Sequence, residues 1–366
     1  MKKIFIVILV FFVLTVPVRA APEIDTAPLD STLESVEHYS FCGTFEEIYR
    51  AIVENRFSFD GKSITENLLT IFFGGIKESI SQIFVLLGIC IVLAMAENLK
   101  ILSPKTESIA LMGGKLIFAC ALAGSTVQFA QNAKDALEGI SKFTQALMPV
   151  IASLLACTGA QGSVSMLSPA SSLLSSMLVK ISVDIIMPLI IFGSVTAFAD
   201  AILDNGKLSG ISGLFKSAAS FLLGGVFTVF SAVIGIQGAA SGAIDRASVR
   251  GIKYVLSSSV PIIGGTVSES LSMVLTSGNL IKSAAGIAGI ISIAGIIAMP
   301  IINICAYILA LKLLSACAGT FSGKGIASQI SVACDFLKLM VILLFGVGIL
   351  WFVYLGIIIG AGNSLI

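Results

Sequence analysis

The chain has 366 residues, of which 56% are hydrophobic and only 12% charged. A soluble domain carries about 25% charged residues, so this chain cannot cover a water-facing surface of its own size. A net charge of +1 excludes the strong field that would gather nucleic acid or acidic ligands. The apolar excess is therefore assigned to surface in contact with lipid, and the bilayer is the first expected partner.

Residues 1–20 read as a secretory signal peptide: Lys2 and Lys3 form the charged start and Ile4 to Val16 an unbroken apolar core. That core is shorter than the roughly 20 residues a spanning helix needs. Val18-Arg19-Ala20 supplies a cleavage site. Residues 21–78 are then delivered across the membrane as an extracytoplasmic region. They hold Glu23, Asp25, Asp30, Glu34, Glu37, Glu46, Glu47 and Glu54 and the sole histidine, His38. Phe45–Val53 has helical spacing, and Ser63–Ser81 places Leu68, Ile71, Phe72 and Ile76 on one side. So short a stretch has little core of its own and is expected to lean, as helices, on the membrane part.

Residues 79–366 carry repeated apolar runs: Ile80–Ala96, Ile109–Ala130, Ala146–Ala160, Ile181–Leu203, Ala218–Ile236, Ala284–Ala310 and Leu337–Gly360. Backbone amides in lipid must bond within their own segment, so each run is expected to be a helix. The predicted fold is all-α, a polytopic helical membrane protein with about seven transmembrane helices. With residue 21 outside, loops 97–108 and 237–257 fall in the cytoplasm, and their Lys100, Lys105, Arg246, Arg250 and Lys253 agree with the positive-inside bias. Lys134 and Lys142 fall in an outside loop between the second and third runs.

The residue chemistry points away from catalysis. No CxxC, GxSxG, HExxH or Walker-type pattern occurs, so no catalytic residues, metal ligands or cofactors are assigned. Ionisable residues inside spans are candidate functional groups: Lys115, Lys180, Asp184, Asp200 and Lys312. Lys180 and Asp184, four apart, share a helical face and form a candidate intramembrane charge pair. Met148-Pro149, Met187-Pro188 and Met299-Pro300 place kinks in apolar runs, and broken helices mark transporter sites. Ordinary proline tolerance in membrane helices is the competing reading. Ala284, Ala288 and Ser292, and Gly356 with Gly360, recur every four positions and let helix backbones approach, within one bundle or between subunits.

The most distinctive stretch is Ile236–Gly289. Arg246, Arg250 and Lys253 sit at helical spacing beside Val249, Ile252 and Leu256, as in an interfacial helix on anionic headgroups. Pro261 and the Gly264-Gly265 pair break that helix, and a weakly amphipathic run, Val267–Ile281, comes next. The 258–283 region either re-enters the membrane or lies on it as a loop.

On these residues the chain resembles the stage III sporulation protein AE family. The carriers are IQG at Ile236–Gly238, then Asp245, Ser248, Arg250, Lys253 and Tyr254, VPIIGG at Val260–Gly265, LIKSAAGIAG at Leu280–Gly289 and IIIGAGN at Ile357–Asn363. Arg246 departs from a glycine-rich place in the family pattern. The resemblance implies a non-enzymatic, permease-like subunit of an export-like channel complex joining mother cell and forespore. It also implies other stage III sporulation membrane proteins as partners, among them a secretion-type ATPase and ring-forming ectodomain proteins, with no nucleic acid. The implied location is the cell membrane, multi-pass, in the mother-cell-derived outer forespore membrane. The 236–289 block is the expected contact with partner or pore, through Asp245, Ser248, Arg250, Lys253, Pro261, Gly264 and Gly265. The rival reading is a self-sufficient secondary transporter of a small solute or ion.

Overall fold

A computed structural model describes residues 26–34, 44–54, 70, 73–75, 82–93, 95, 104–157, 161–203, 207–259, 264–321 and 324–360. The signal assigned to residues 1–20 lies outside them. Among the described residues every regular element is a helix, as the hydropathy demanded.

Two short helices begin the described chain, α1 (Ala27–Glu34) and α2 (Phe45–Val53). Thr44 and Glu47 form a reciprocal capping box at the start of α2, each side chain bonding the other's backbone N–H. The Phe45 N–H donates to Asp30 Oδ1 at 2.8 Å, so a carboxylate of α1 also caps α2. Burial pushes the Asp30 carboxyl above its ordinary value, outweighing the backbone donors from Phe45 and Glu46 that lower it. Phe45 and Ile48 are buried, and the Phe45 ring lies 6.2 Å from that of Phe143. The start of the chain thus leans on the bundle, α1 against the helix that bears Phe143 and α2 against the long helix that begins at Gly264.

The bundle comprises α3 (Gln82–Leu93), α4 (Pro104–Cys157), α5 (Gln161–Ile181), a π-helical turn (Ser182–Ile186), α6 (Met187–Leu203), α7 (Ser209–Ser259), α8 (Gly264–Phe321) and α9 (Lys324–Gly360). Among the described residues five helical stretches are long and apolar enough to cross a membrane: Ile109–Ala156, Ser172–Leu203, Ser209–Ala240, Asn279–Cys317 and Ile326–Gly360. This count is of the described residues alone and does not confirm the expected seven or so. The second and third apolar runs and the loop assigned between them form one unbroken helix, α4, of 54 residues. The physical reason is visible in the intervening residues. Ala133, Leu137, Ile140, Phe143 and Leu147 are buried at helical spacing, so the polar segment has a continuous inward face. The first run is represented by α3, a shorter apolar helix.

Side-chain contacts fix how the helices run. α8 and α9 are antiparallel: Ile359 lies over Gly286, Leu355 over Gly289, and Ile297 over Gly348. α7 runs parallel to α9, with Lys216 beside Asp335, Phe227 over Gly346 and Ile357 over Gly238. α4 is antiparallel to α8, its Phe129 ring 4.8 Å from that of Tyr307 and its Leu147 against Gly289. α3 folds back on the first half of α4 as a hairpin, Gln82 donating to Gln128 at 2.9 Å and Leu93 covering Gly114. At these seams glycine is required by close approach rather than by backbone angle: a Cβ at Gly193 would meet the Phe336 ring at 2.6 Å.

These directions correct the expected placement of the two basic segments. The beginning of α4 lies near the α8–α9 turn, where Gln329 reaches the Lys115 carbonyl, whereas Gly238 lies beside Ile357 near the end of α9. Lys105 and the Arg246–Lys253 stretch therefore sit toward opposite ends of the bundle, not on one side.

Candidate functional site

The 236–289 block is two helical extensions rather than a loop with a separate interfacial helix. α7 continues past its apolar window, which ends at Ala240, and carries Asp245, Ser248, Arg250 and Lys253 on its last turns. It also runs straight through Arg246. Pro261 lies outside the described residues, while Gly264 and Gly265 open α8, whose apolar window begins only at Asn279. The expected break at 260–263 lies outside the described residues. The amphipathic Val267–Ile281 run is the first part of α8 itself.

The second candidate, Lys180 and Asp184, falls on the junction of α5 and the π-helical turn. Both side chains are exposed, and among the described residues no ion pair joins them. The π-turn has a local cause. Pro188 has no N–H to donate and its ring would crowd the carbonyl four residues back, and the wider turn relieves this, with Met187 N–H bonding Ser182 O. Pro149 and Pro300 lie inside α4 and α8. None of the three Met-Pro pairs ends a helix, although each proline leaves the carbonyl four residues back without its helical donor.

Other charges have structural partners that local sequence could not reveal. Asp335 on α9 accepts from Lys216 of α7 at 2.7 Å and from Lys338 at 2.9 Å. The Lys338 contact has the familiar three-residue spacing, but Lys216 is distant in the chain and needed the fold to bring it close. Asp200 Oδ1 accepts the Leu208 N–H at 2.9 Å and so ties the end of α6 to the start of α7. Lys282, near the start of the α8 window, is 1% exposed and donates to Asn279 at 3.2 Å. Ala284, Ala288 and Ser292 are buried in the seam, as small-residue packing predicts. Gly356 and Gly360 instead face open space, so that pair does not serve packing within the described chain.

The feature sequence reading missed is the polar middle of α4. Gln131, Asp135, Lys142 and Gln145 are exposed and, with half-exposed Glu138, recur at steps of three and four residues, Lys134 being half-exposed along the same stretch. Lys134 Nζ lies 3.8 Å from Glu138 Oε1, and Gln131 donates to Asp135 at 2.8 Å. A charge facing lipid at the bilayer centre costs about 2.5–3.5 kcal/mol on insertion scales. A continuous run of such residues is therefore inconsistent with a lipid-facing surface.

Among the described residues no group of three or more His, Cys, Asp or Glu is placed to hold a metal ion. Long apolar helices packed through glycine and alanine seams, with charges held in pairs or along one helix, define a polytopic helical membrane protein. The sequence family known as Stage III sporulation protein AE matches residues 44–362, and the chain belongs to that family. It is similar to Stage III sporulation protein AE of Bacillus subtilis (strain 168), 25% identical over 231 residues, which make up 63% of this chain and 58% of that relative. The match thus spans less than two thirds of the relative's length. No solved structure matches the chain.

Proposed function

We propose that this chain is a permease-like, non-enzymatic membrane subunit of a trans-envelope channel complex used in endospore development, placed in the outer forespore membrane. Membership of a sporulation family and a set of membrane-crossing helices support the sporulation and membrane parts of this reading. The observation that carries the complex is the pair of extensions on α7 and α8. Each runs well past the roughly 20 residues a bilayer needs, and beyond the apolar windows they hold Arg246, Arg250 and Lys253 and the Gly264-Gly265 pair. Helix beyond the membrane is what a subunit needs to meet a peripheral ATPase or a ring of ectodomains.

The test is recovery of tagged protein from detergent-solubilised sporulating cells. The native chain is expected to bring down a secretion-type ATPase and ring-forming proteins. An Arg250→Glu, Lys253→Glu variant should lose them while still inserting, and should stop spore formation after engulfment. If the native chain came down alone and moved solute in liposomes unaided, a self-sufficient transporter would replace this reading.

A further inference from the structure

On three helices the last charge before a long uncharged stretch is a lysine, and the fold brings the three lysines to one level. Residues 217–244 of α7, 283–311 of α8 and 339–360 of α9 contain no Asp, Glu, Lys or Arg. The shortest of these measures about 33 Å along a helix, close to the roughly 30 Å hydrocarbon layer. Lys216 precedes the first, Lys312 follows the second and Lys338 precedes the third. Lys216 of α7 and Lys338 of α9 both donate to Asp335, at 2.7 and 2.9 Å. Lys312 belongs with them. α8 and α9 are antiparallel with Ile297 over Gly348, so Lys312, fifteen residues after Ile297, is level with Ala333, fifteen before Gly348. Cys334 accordingly lies within electrostatic reach of Lys312 and Lys338 alike.

Asp335 is one carboxylate shared by two of the three ammonium groups, so the cluster keeps an excess of positive charge. Lys312 and Lys338 are exposed and Lys216 half-exposed, so that charge is presented outward. It is set among apolar side chains. Ile342, Phe345 and Ile349 follow Lys338 on the outward side of α9 at steps of four, three and four. Ile349 stands about 16 Å along the helix from Lys338, which is one leaflet's share of hydrocarbon. Exposed Leu309 and Leu313 flank Lys312, and exposed Leu214 stands close to Lys216 in the chain. Among the described residues α1 and α2 pack against α4 and α8 rather than against this side of α9. A soluble anion would satisfy the lysines and leave Ile342 and Phe345 in water, and an apolar helix would do the reverse. The pattern fits a ligand with an anion at one end and a hydrocarbon chain in line with it. We propose that this cluster holds the headgroup of an anionic phospholipid, its phosphate at Lys312 and Lys338 and its acyl chains along Ile342, Phe345 and Ile349. The lysine stems lie along the apolar surface and carry their ammonium groups out to the phosphate. This contact needs no partner subunit and stands apart from the export reading.

The full chain, purified and reconstituted in vesicles of one part phosphatidylglycerol to nine parts phosphatidylcholine, tests it. A photo-crosslinking benzoylphenylalanine at Ser331, exposed about one turn before Asp335, is expected to capture phosphatidylglycerol at least fivefold above its bulk share. The same probe at Val353, exposed further along α9, should capture the two lipids in their bulk ratio. Lys312→Gln with Lys338→Gln should return the Ser331 probe to the bulk ratio, whereas Lys312→Arg with Lys338→Arg should keep the enrichment. Capture in the bulk ratio by the native lysines, or enrichment that survives the glutamine pair, would overturn the proposal. So would equal enrichment at Val353, or its loss in the arginine pair.

Discussion

α4 and α9 cross the same bundle side by side, yet their middles have opposite character. α9 is buried on one face by Leu343, Leu344, Val347 and Leu350 and presents Ile342, Phe345, Ile349 and Val353 on the other. α4 buries Ala133, Leu137, Ile140 and Phe143 just as fully but presents Gln131, Asp135, Lys142 and Gln145. Equal inward faces show that both are integral to the fold. The difference lies outside: one helix presents an apolar surface, and the other a charged and polar one. A helix of this bundle is thus specified by two surfaces, and hydropathy averaged around the helix hides how they differ.

The largest effect should come from giving α9 the character of α4. Ile342→Lys with Ile349→Lys places two charges against lipid, at about 2.5–3.5 kcal/mol each. The variant should fail to accumulate in the membrane fraction, while Glu138→Leu on α4 inserts normally; equal accumulation of both would erase the contrast. Next in size is Phe143→Ala, which opens a cavity beneath Phe45 at a cost of about 3–5 kcal/mol. Thermal unfolding in detergent, monitored by the emission of the single tryptophan, buried Trp351, should shift down, and α2 should become open to protease. A smaller effect distinguishes packed from open glycines on α9 itself. Gly346→Leu drives a side chain into the Phe227 ring and should cost about 1–3 kcal/mol, whereas Gly356→Leu, facing open space, should leave the transition where it was.

Much of the bundle was legible from residue pattern. The helical class, the runs behind the α5–α6 span and behind α7, α8 and α9, and the Ala284–Ser292 seam all come from hydropathy and small-residue spacing. Family membership was legible in the Asp245–Gly265 block. The first half was misread at one place. Residues 131–145 look like a loop because their mean polarity is high, although Ala133, Leu137, Ile140, Phe143 and Leu147 already recur at helical intervals. Taking that segment as a loop added a crossing and put Lys105 and Arg250 on the same side. The Lys216–Asp335 bridge could not be read locally, since it depends on α7 and α9 packing in parallel. The candidate block was legible as helix on either side of residues 260–263.

The register of α4 against α8 supports the helix directions and everything built on them. In a variant whose native cysteines are replaced, Phe129→Cys and Tyr307→Cys can be oxidised in intact membranes, with a protease site introduced at 204–206 to separate the two halves. The account predicts that the cleaved halves stay joined until reduced, while Phe129→Cys with Ile293→Cys, which lies about four turns away along α8, does not join them. Halves that separate freely with the first pair and join with the second would contradict the antiparallel register of α4 on α8, and the account with it.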